Sequence, residues 1–282
     1  MDLTGKVAVV TGAGSGIGRA LTIELAHRGS TVVACDIDID AAQQTVEPIA
    51  AVAGTRHKAF AVDVADENSV NALAKAVEGE FGEVDILVNN AGVLGRMAPL
   101  DQLSTQELEW VLGVDLWGPI HGTRAFLPLL RERREAALVN VCSFAGLMGS
   151  LGNAAYFASK FGVRGFSEAV RAELKPTGVK VTIVFPGVVK TNLGASGYGF
   201  SADEKREAVR RYNSQPGVSP ERAARQIARG IERGRSRVLV GPDAWVIDKL
   251  VRAFPGNVDR VMHAFTARAV NRLQPDGREV FR

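Results

Sequence analysis

Cysteine is nearly absent from this 282-residue chain: Cys35 and Cys142 are the two, each inside an apolar, strand-like run. That scarcity excludes a disulfide framework and fits a reducing compartment, so a cytoplasmic location is expected. Long hydrophobic runs are missing too. No stretch reaches about 18 uninterrupted apolar residues, so no membrane-spanning helix is expected. Met1-Asp2-Leu3-Thr4-Gly5-Lys6 lacks the charged-then-apolar layout of a signal peptide. Charge of one sign is scarce: 34 Lys and Arg stand against 31 Asp and Glu, a formal net charge of +3. The bases are mixed with acids along the chain, which gives nucleic acid no footprint as a partner. The 30 glycines show no collagen period, and neither a solenoid repeat nor a low-complexity tract is present. What remains is an ordinary globular composition, 46% hydrophobic and 23% charged.

Short apolar runs alternate with longer helical patterns. Strands are expected at Val7–Val10, Thr31–Cys35, His57–Val62, Val84–Val88, Leu138–Val141, Val179–Phe185 and Arg237–Val240. Helices are expected at Gly16–Arg28, Ile39–Val52 and Glu67–Phe81, and across the long gaps that follow. Continuously apolar strands spaced by helices predict an α/β fold, a doubly wound parallel sheet with helices on both faces. The expected organisation is a catalytic domain over residues 1–240 and a helical extension over 241–282. Within the first, the glycine-rich and then charged stretch 192–218 reads as a substrate lid. Ser219 and Pro220 start a helix with Ile227 and Ile231 on one face, and Gly234 ends it. In the tail, Ile247, Leu250, Val251 and Phe254, then Val258, Val261, Met262 and Phe265, fall at helical spacing. Two helices joined at Pro255-Gly256 are expected there.

The first strand breaks into Thr11-Gly12-Ala13-Gly14-Ser15-Gly16-Ile17-Gly18 and opens a helix. Such a turn brings backbone and a helix N-terminus close to a pyrophosphate. The working pattern is Gly12-x-x-x-Gly16-x-Gly18, since Ile17 stands where the common dinucleotide fingerprint has its third glycine. Asp36 ends the second strand, where a carboxylate can accept from both hydroxyls of an adenosine ribose and repel a 2′-phosphate; the next residue is Ile37, not a base. The third strand ends at Asp63-Val64 and the fourth at Asn89-Asn90-Ala91-Gly92. Asn89 serves either a ligand or the joining of neighbouring strands. Tyr156-Phe157-Ala158-Ser159-Lys160 sets a phenol and an ammonium at i and i+4 on one helix face. A nearby ammonium lowers a phenol pKa that is ordinarily about 10. A tyrosine so tuned exchanges protons with an alcohol or carbonyl near neutral pH. Ser143, at the end of the fifth strand, is placed to hydrogen-bond the same substrate oxygen.

Together the glycine-rich turn, Asn89-Asn90-Ala91-Gly92, Ser143, Tyr156-x-x-x-Lys160 and Pro186-Gly187 resemble the short-chain dehydrogenase/reductase family, over Leu3 to about Val240. The resemblance implies a Rossmann-type fold, hydride transfer with a nicotinamide cofactor and no metal. It implies that Tyr156 is the general acid/base, that Lys160 tunes it and holds the nicotinamide ribose, and that Ser143 orients the substrate. By the same resemblance Val188 and Thr191, in Pro186-Gly187-Val188-Val189-Lys190-Thr191, contact the carboxamide. Asp63 and Val64 then lie beside the adenine, and Ile17 touches the pyrophosphate through its backbone. One position departs: where the family carries a fourth catalytic residue, an asparagine at a helix bend, this chain has Asp115. The family pattern also implies a homo-oligomer, a tetramer or dimer, with Trp110–Arg131 and Ala154–Lys175 at an interface. The extra tail would pack on the sheet edge or another subunit, in preference to a membrane surface.

The reading these residues support is an NAD-dependent oxidoreductase for a hydrophobic secondary alcohol or its ketone. Leu94, Leu147, Met148, Leu193 and the lid are the candidate pocket. Two alternatives are an NADPH-dependent ketone reductase, opposed by Asp36, and a dinucleotide-binding regulatory protein without catalysis, opposed by the complete Ser143, Tyr156 and Lys160 set.

Overall fold

The computed structural model describes residues 1–50 and 56–255. Seven parallel strands, β1 (Val7–Thr11), β2 (Thr31–Asp36), β3 (Lys58–Ala61), β4 (Ile86–Asn89), β5 (Ala136–Val141), β6 (Val179–Pro186) and β7 (Arg237–Val240), form one sheet in the order β3-β2-β1-β4-β5-β6-β7. Nine α-helices accompany them among the described residues: α1 (Gly16–His27), α2 (Ile39–Val46), α3 (Glu67–Phe81), α4 (Thr105–Leu112), α5 (Gly118–Arg131), α6 (Ala154–Glu173), α7 (Ala202–Asn213), α8 (Pro220–Glu232) and α9 (Pro242–Ala253). This is the Rossmann-type doubly wound sheet that the strand spacing predicts.

The strands β1, β2, β4 and β5 are apolar almost throughout because both faces are covered, whereas the edge strands β3 and β7 are partly exposed. Successive residues still part to opposite cores. Ala8, Val10, Val32, Ala34, Ile86, Val88, Ala137 and Val139 pack with α1 and α8. Val7, Val9, Val33, Leu87, Ala136 and Leu138 pack with Val70 and Val77 of α3 and Phe126 and Leu130 of α5. Asn89 proves to be a joint rather than a ligand residue. Its side-chain NH₂ donates to Asn140 Oδ1 at 2.8 Å, Asn140 donates to Ser167 Oγ at 2.8 Å, and all three are buried. That satisfied network pins β4, β5 and α6 together.

Strand order reverses beside β1, with β2 on one side and β4 on the other. At this switch point the chain leaves β1 for α1 on one face and β4 for α5 on the other, bordering a crevice where open α/β sheets take ligands. Asn90 holds the mouth in place by donating to Thr11 O at 2.9 Å.

One helix boundary is corrected. The second helix ends at Val46 and gives way to a 3₁₀ turn, Glu47–Ile49, because Pro48 cannot continue the α ladder; residues 51–55 lie outside the described chain. In the stretch 192–218, expected as a lid, α7 occupies the middle. The first tail helix is α9; the second, expected at Val258–Phe265, lies outside the described residues. No described helix is long and apolar enough to cross a membrane.

Candidate active site

The turn after β1 is built from backbone that tolerates no side chain. Gly12 and Gly16 have φ of +65° and +52°, and a Cβ on Gly12 would lie 2.8 Å from Ala91 Cα. Gly18 acts beneath the turn rather than in the crevice: a Cβ there would meet Gly12 O at 2.1 Å, so the missing side chain lets α1 seat against the loop. Ser15 precedes α1 but its hydroxyl caps nothing, which leaves the first N–H groups of the helix available to an anion. The second strand ends in Asp36, whose Oδ2 accepts from Gly14 N–H at 2.8 Å and Oδ1 from Asp38 N–H at 3.1 Å. That carboxylate is oriented at the crevice edge beside Ile37, which is 73% exposed.

The crevice encloses about 490 Å³. Gly12, Ser15, Gly16, Ile17, Asp36, Asp63, Val64, Asn90, Ala91, Gly92, Pro186, Gly187, Val188 and Thr191 all line it, together with Ser143, Tyr156 and Lys160. Gly18 and Asp115 are the two expected site residues that do not.

Ser143 opens a 3₁₀ turn after β5 and accepts from Ala145 N–H at 3.1 Å. Tyr156 and Lys160 sit in the first two turns of α6, both nearly buried. Asn153 caps that helix by accepting from Tyr156 N–H at 3.1 Å, and its NH₂ donates to Leu94 O across the crevice. The Lys160 ammonium stands 5.4 Å from the centre of the Tyr156 ring.

Asp115 lies beneath this group, fully buried, in a π-helical turn at Gly113–Trp117 between α4 and α5. The wider turn carries its carboxylate inward. Oδ1 accepts from Val93 N–H at 2.7 Å, and Oδ2 lies 3.2 Å from Lys160 Nζ. Burial pushes the Asp115 carboxyl up; the Lys160 charge and the Val93 N–H pull it back. The expectation of a depressed phenol is not met. Burial chiefly, and then the Asp115 charge, raise the Tyr156 pKa, while a hydrogen bond with Ser143 acts the other way. Cys142 also reaches the crevice, but burial pushes its thiol up to about 11, so it is no nucleophile near neutral pH.

The substrate end is apolar. Leu94 and Leu193 line it as expected, whereas Leu147 and Met148 are buried elsewhere. Met97, Trp110, Leu151 and Phe157 complete the wall and escaped the sequence reading, and Tyr212 joins them from the 192–218 stretch expected to line it. They come from separate segments; only the i+1 placement of Phe157 beside Tyr156 offered a signal. Ser196 ties the lid to this wall: its Oγ accepts from Leu94 N–H at 2.8 Å and its carbonyl from Gly95 N–H at 3.0 Å.

Comparison with known proteins bears on this geometry. A family model described as short chain dehydrogenase matches residues 6–198. With SadH of Mycobacterium tuberculosis the chain is 37% identical over 267 residues, 94% of this chain and 96% of that protein. With the D-threitol dehydrogenase of Mycolicibacterium smegmatis it is 42% identical over 192 residues, 68% of this chain and 73% of that one. Among solved structures, a short-chain dehydrogenase/reductase from Burkholderia phymatum in complex with NAD superposes with a TM-score of 0.82 at 30% identity, over 92% of this chain and 97% of that one. A metagenomic short-chain oxidoreductase in complex with NADP superposes at 0.70, also 30% identical, over 85% and 98%. Family match, near full-length relatives and a shared dinucleotide-binding fold lead to one conclusion: this chain belongs to the short-chain dehydrogenase/reductase family of oxidoreductases, which bind a nicotinamide dinucleotide.

Proposed function

We propose that this enzyme transfers a hydride between NAD and a hydrophobic secondary alcohol or its ketone, with Tyr156 as general acid/base. The observation that carries the reading is the meeting of Ser143, Tyr156 and Lys160 in one crevice with the glycine turn. The crevice suits the dinucleotide by its own features: a turn with no room for side chains, an uncapped helix N-terminus and an acid at the far edge. Gly12, Ser15, Gly16 and Ile17 would hold the pyrophosphate, Asp36 the adenosine ribose, Asp63 and Val64 the adenine. Asn90, Ala91, Gly92, Pro186, Gly187, Val188 and Thr191 would border the nicotinamide half. When bound, the nicotinamide supplies the hydride acceptor for oxidation and the donor for reduction.

In oxidation Tyr156 takes the hydroxyl proton of the alcohol; in reduction it returns a proton to the ketone oxygen. Ser143 hydrogen-bonds that oxygen and keeps it before the phenol. Lys160 supports the phenolate electrostatically, and Asp115 holds the ammonium from below. Leu94, Leu193, Trp110 and Phe157 exclude water and favour an apolar substrate. NAD is assigned over NADP because Asp36 faces the crevice edge and its neighbour Ile37 supplies no base for a 2′-phosphate. The complete Ser143, Tyr156 and Lys160 set supports an enzyme over a regulatory dinucleotide binder. Trp117 and Phe161, 51% and 43% exposed, support self-association through the α5 and α6 side. NADH formation from NAD across a panel of secondary alcohols, steroids and medium-chain carbinols included, tests the function. Turnover of apolar members is expected, and no turnover with any member in either direction would overturn it.

A further inference from the structure

A second cavity, of about 700 Å³, lies between α8, the start of β7 and α9, outside the catalytic crevice. Arginine dominates its wall: Arg222 and Arg229 on α8, Arg233 at its end and Arg235 before β7. Arg222, Gln226, Arg229 and Arg233 form one stripe, opposite the buried Ala223, Ala224, Ile227 and Ile231. Trp245 of α9 stands at the edge, 56% exposed. Among the described residues none of these four guanidinium groups has an ion-pair partner, while Arg28, Arg133 and Arg237 are each paired. Two nearby acids are taken, and a third, Asp243, keeps one buried oxygen without a hydrogen-bond partner. Glu232 pairs with Arg28 at 2.6 Å and Asp248 with Arg237 at 2.7 Å. Asp243, in the cavity wall, accepts from Val188 N–H at 2.6 Å through Oδ2, and its Oδ1 is buried.

Helix electrostatics explain only part of this charge. A base is favoured in the last turn of α8, which accounts for Arg229 and Arg233 singly. It is disfavoured in the first turn, where Arg222 sits, and Arg229 and Arg233 repel at i, i+4. Arg235 lies beyond the helix altogether. Four unpaired guanidinium forks in one cavity match phosphate oxygens in geometry and charge. From Arg222 to Arg233 the helix rises about 16 Å, more than one phosphate spans.

We propose that this groove binds a ligand carrying two or more phosphate groups, with Trp245 covering its apolar or aromatic part. A soluble oligophosphate and the headgroups of an anionic phospholipid surface offer the same chemistry, and two probes separate them. The test uses the full chain saturated with NADH, so that the dinucleotide crevice is filled. Tripolyphosphate is titrated by calorimetry, and vesicles of phosphatidylcholine with or without phosphatidylglycerol are co-sedimented. Each is repeated with Arg229→Glu/Arg233→Glu and, should that variant fail to fold, with Arg222→Gln/Arg235→Gln. NADH affinity, expected to be unchanged, reports that the fold is intact. Binding of tripolyphosphate that weakens at least about tenfold in the variant supports the site and assigns a soluble ligand. Binding of the phosphatidylglycerol vesicles alone, lost in the variant, supports it and assigns a lipid headgroup. Binding of neither probe, or binding that the arginine variants leave unchanged, overturns it.

Discussion

Asp115 and Lys160 form a buried ion pair beside the Tyr156 phenol. The pair acts on Tyr156 in opposite senses. The carboxylate raises the phenol pKa, and the ammonium, 5.4 Å from the ring centre, favours phenolate by its charge. Asp115→Asn removes one negative charge while keeping an oxygen for Val93 N–H. Oxidation needs the phenolate, so the rising limb of kcat/KM against pH should move to lower pH in the variant. Activity should stay within about tenfold, about 1.4 kcal/mol of barrier. A loss beyond about a hundredfold would show that the carboxylate has a proton-transfer role of its own. At the other end of the crevice, Asp36→Ala should relax cofactor choice. A charged hydrogen bond is worth about 1.5–3 kcal/mol, so the wild-type preference for NAD in kcat/KM should shrink by about tenfold or more. A variant that keeps the full preference would place discrimination elsewhere. Asp115 and Lys160 were placed at one site from sequence by the family resemblance alone; residue spacing does not show the pair, because its members lie on separate elements and meet through the π turn.

At the scale of the element, apolar runs foretold every strand: burial on both faces leaves a near-unbroken signature in β1, β2, β4 and β5, while the edge strands β3 and β7 are short, partly exposed runs. Edges shifted by a residue or two: β4 runs to Asn89 and β3 begins at Lys58. The lid helix α7 went unseen because it buries little besides Ala208 and so carries no apolar stripe. Its sequence did hold a start signal, Ser201 and Glu204, which form a capping box. The glycine turn was legible as a motif, though Gly18 is a packing residue and not a wall of the crevice. Gly18→Ala should therefore fold yet bind poorly. Its methyl would meet Gly12 O and Asn90 Nδ2 and lift α1 from the turn. NADH affinity should fall by about tenfold or more with far-ultraviolet dichroism retained. Unchanged affinity would contradict the close seating of α1.

Over the whole molecule, the crevice is central in the sheet order and the arginine-lined groove is at its margin. The crevice opens at the β1–β4 switch point, and the arginine groove lies by the β7 edge. Between them, Leu116 packs on Gly162, which sets the exposed Trp117 and Phe161 on adjoining stretches of the α5 and α6 side. An interface there would back directly onto the helix that carries Tyr156 and Lys160. Light scattering at micromolar concentration should show a dimer or tetramer, and Trp117→Glu/Phe161→Glu should dissociate it. A monomeric wild-type protein would contradict that surface. Trp117 and Phe161 fall within the stretches the resemblance puts at an interface, but their exposure was not legible beforehand, since it depends on which helix face covers the sheet.

The central claim is that Tyr156 moves the proton, and Tyr156→Phe tests it most directly. The variant keeps the ring and its packing but has no hydroxyl to exchange. With an alcohol that the wild type oxidises, kcat should fall by about 10²–10⁴-fold or more, while NADH binding stays near wild type. Turnover close to the wild-type rate in Tyr156→Phe would contradict the account.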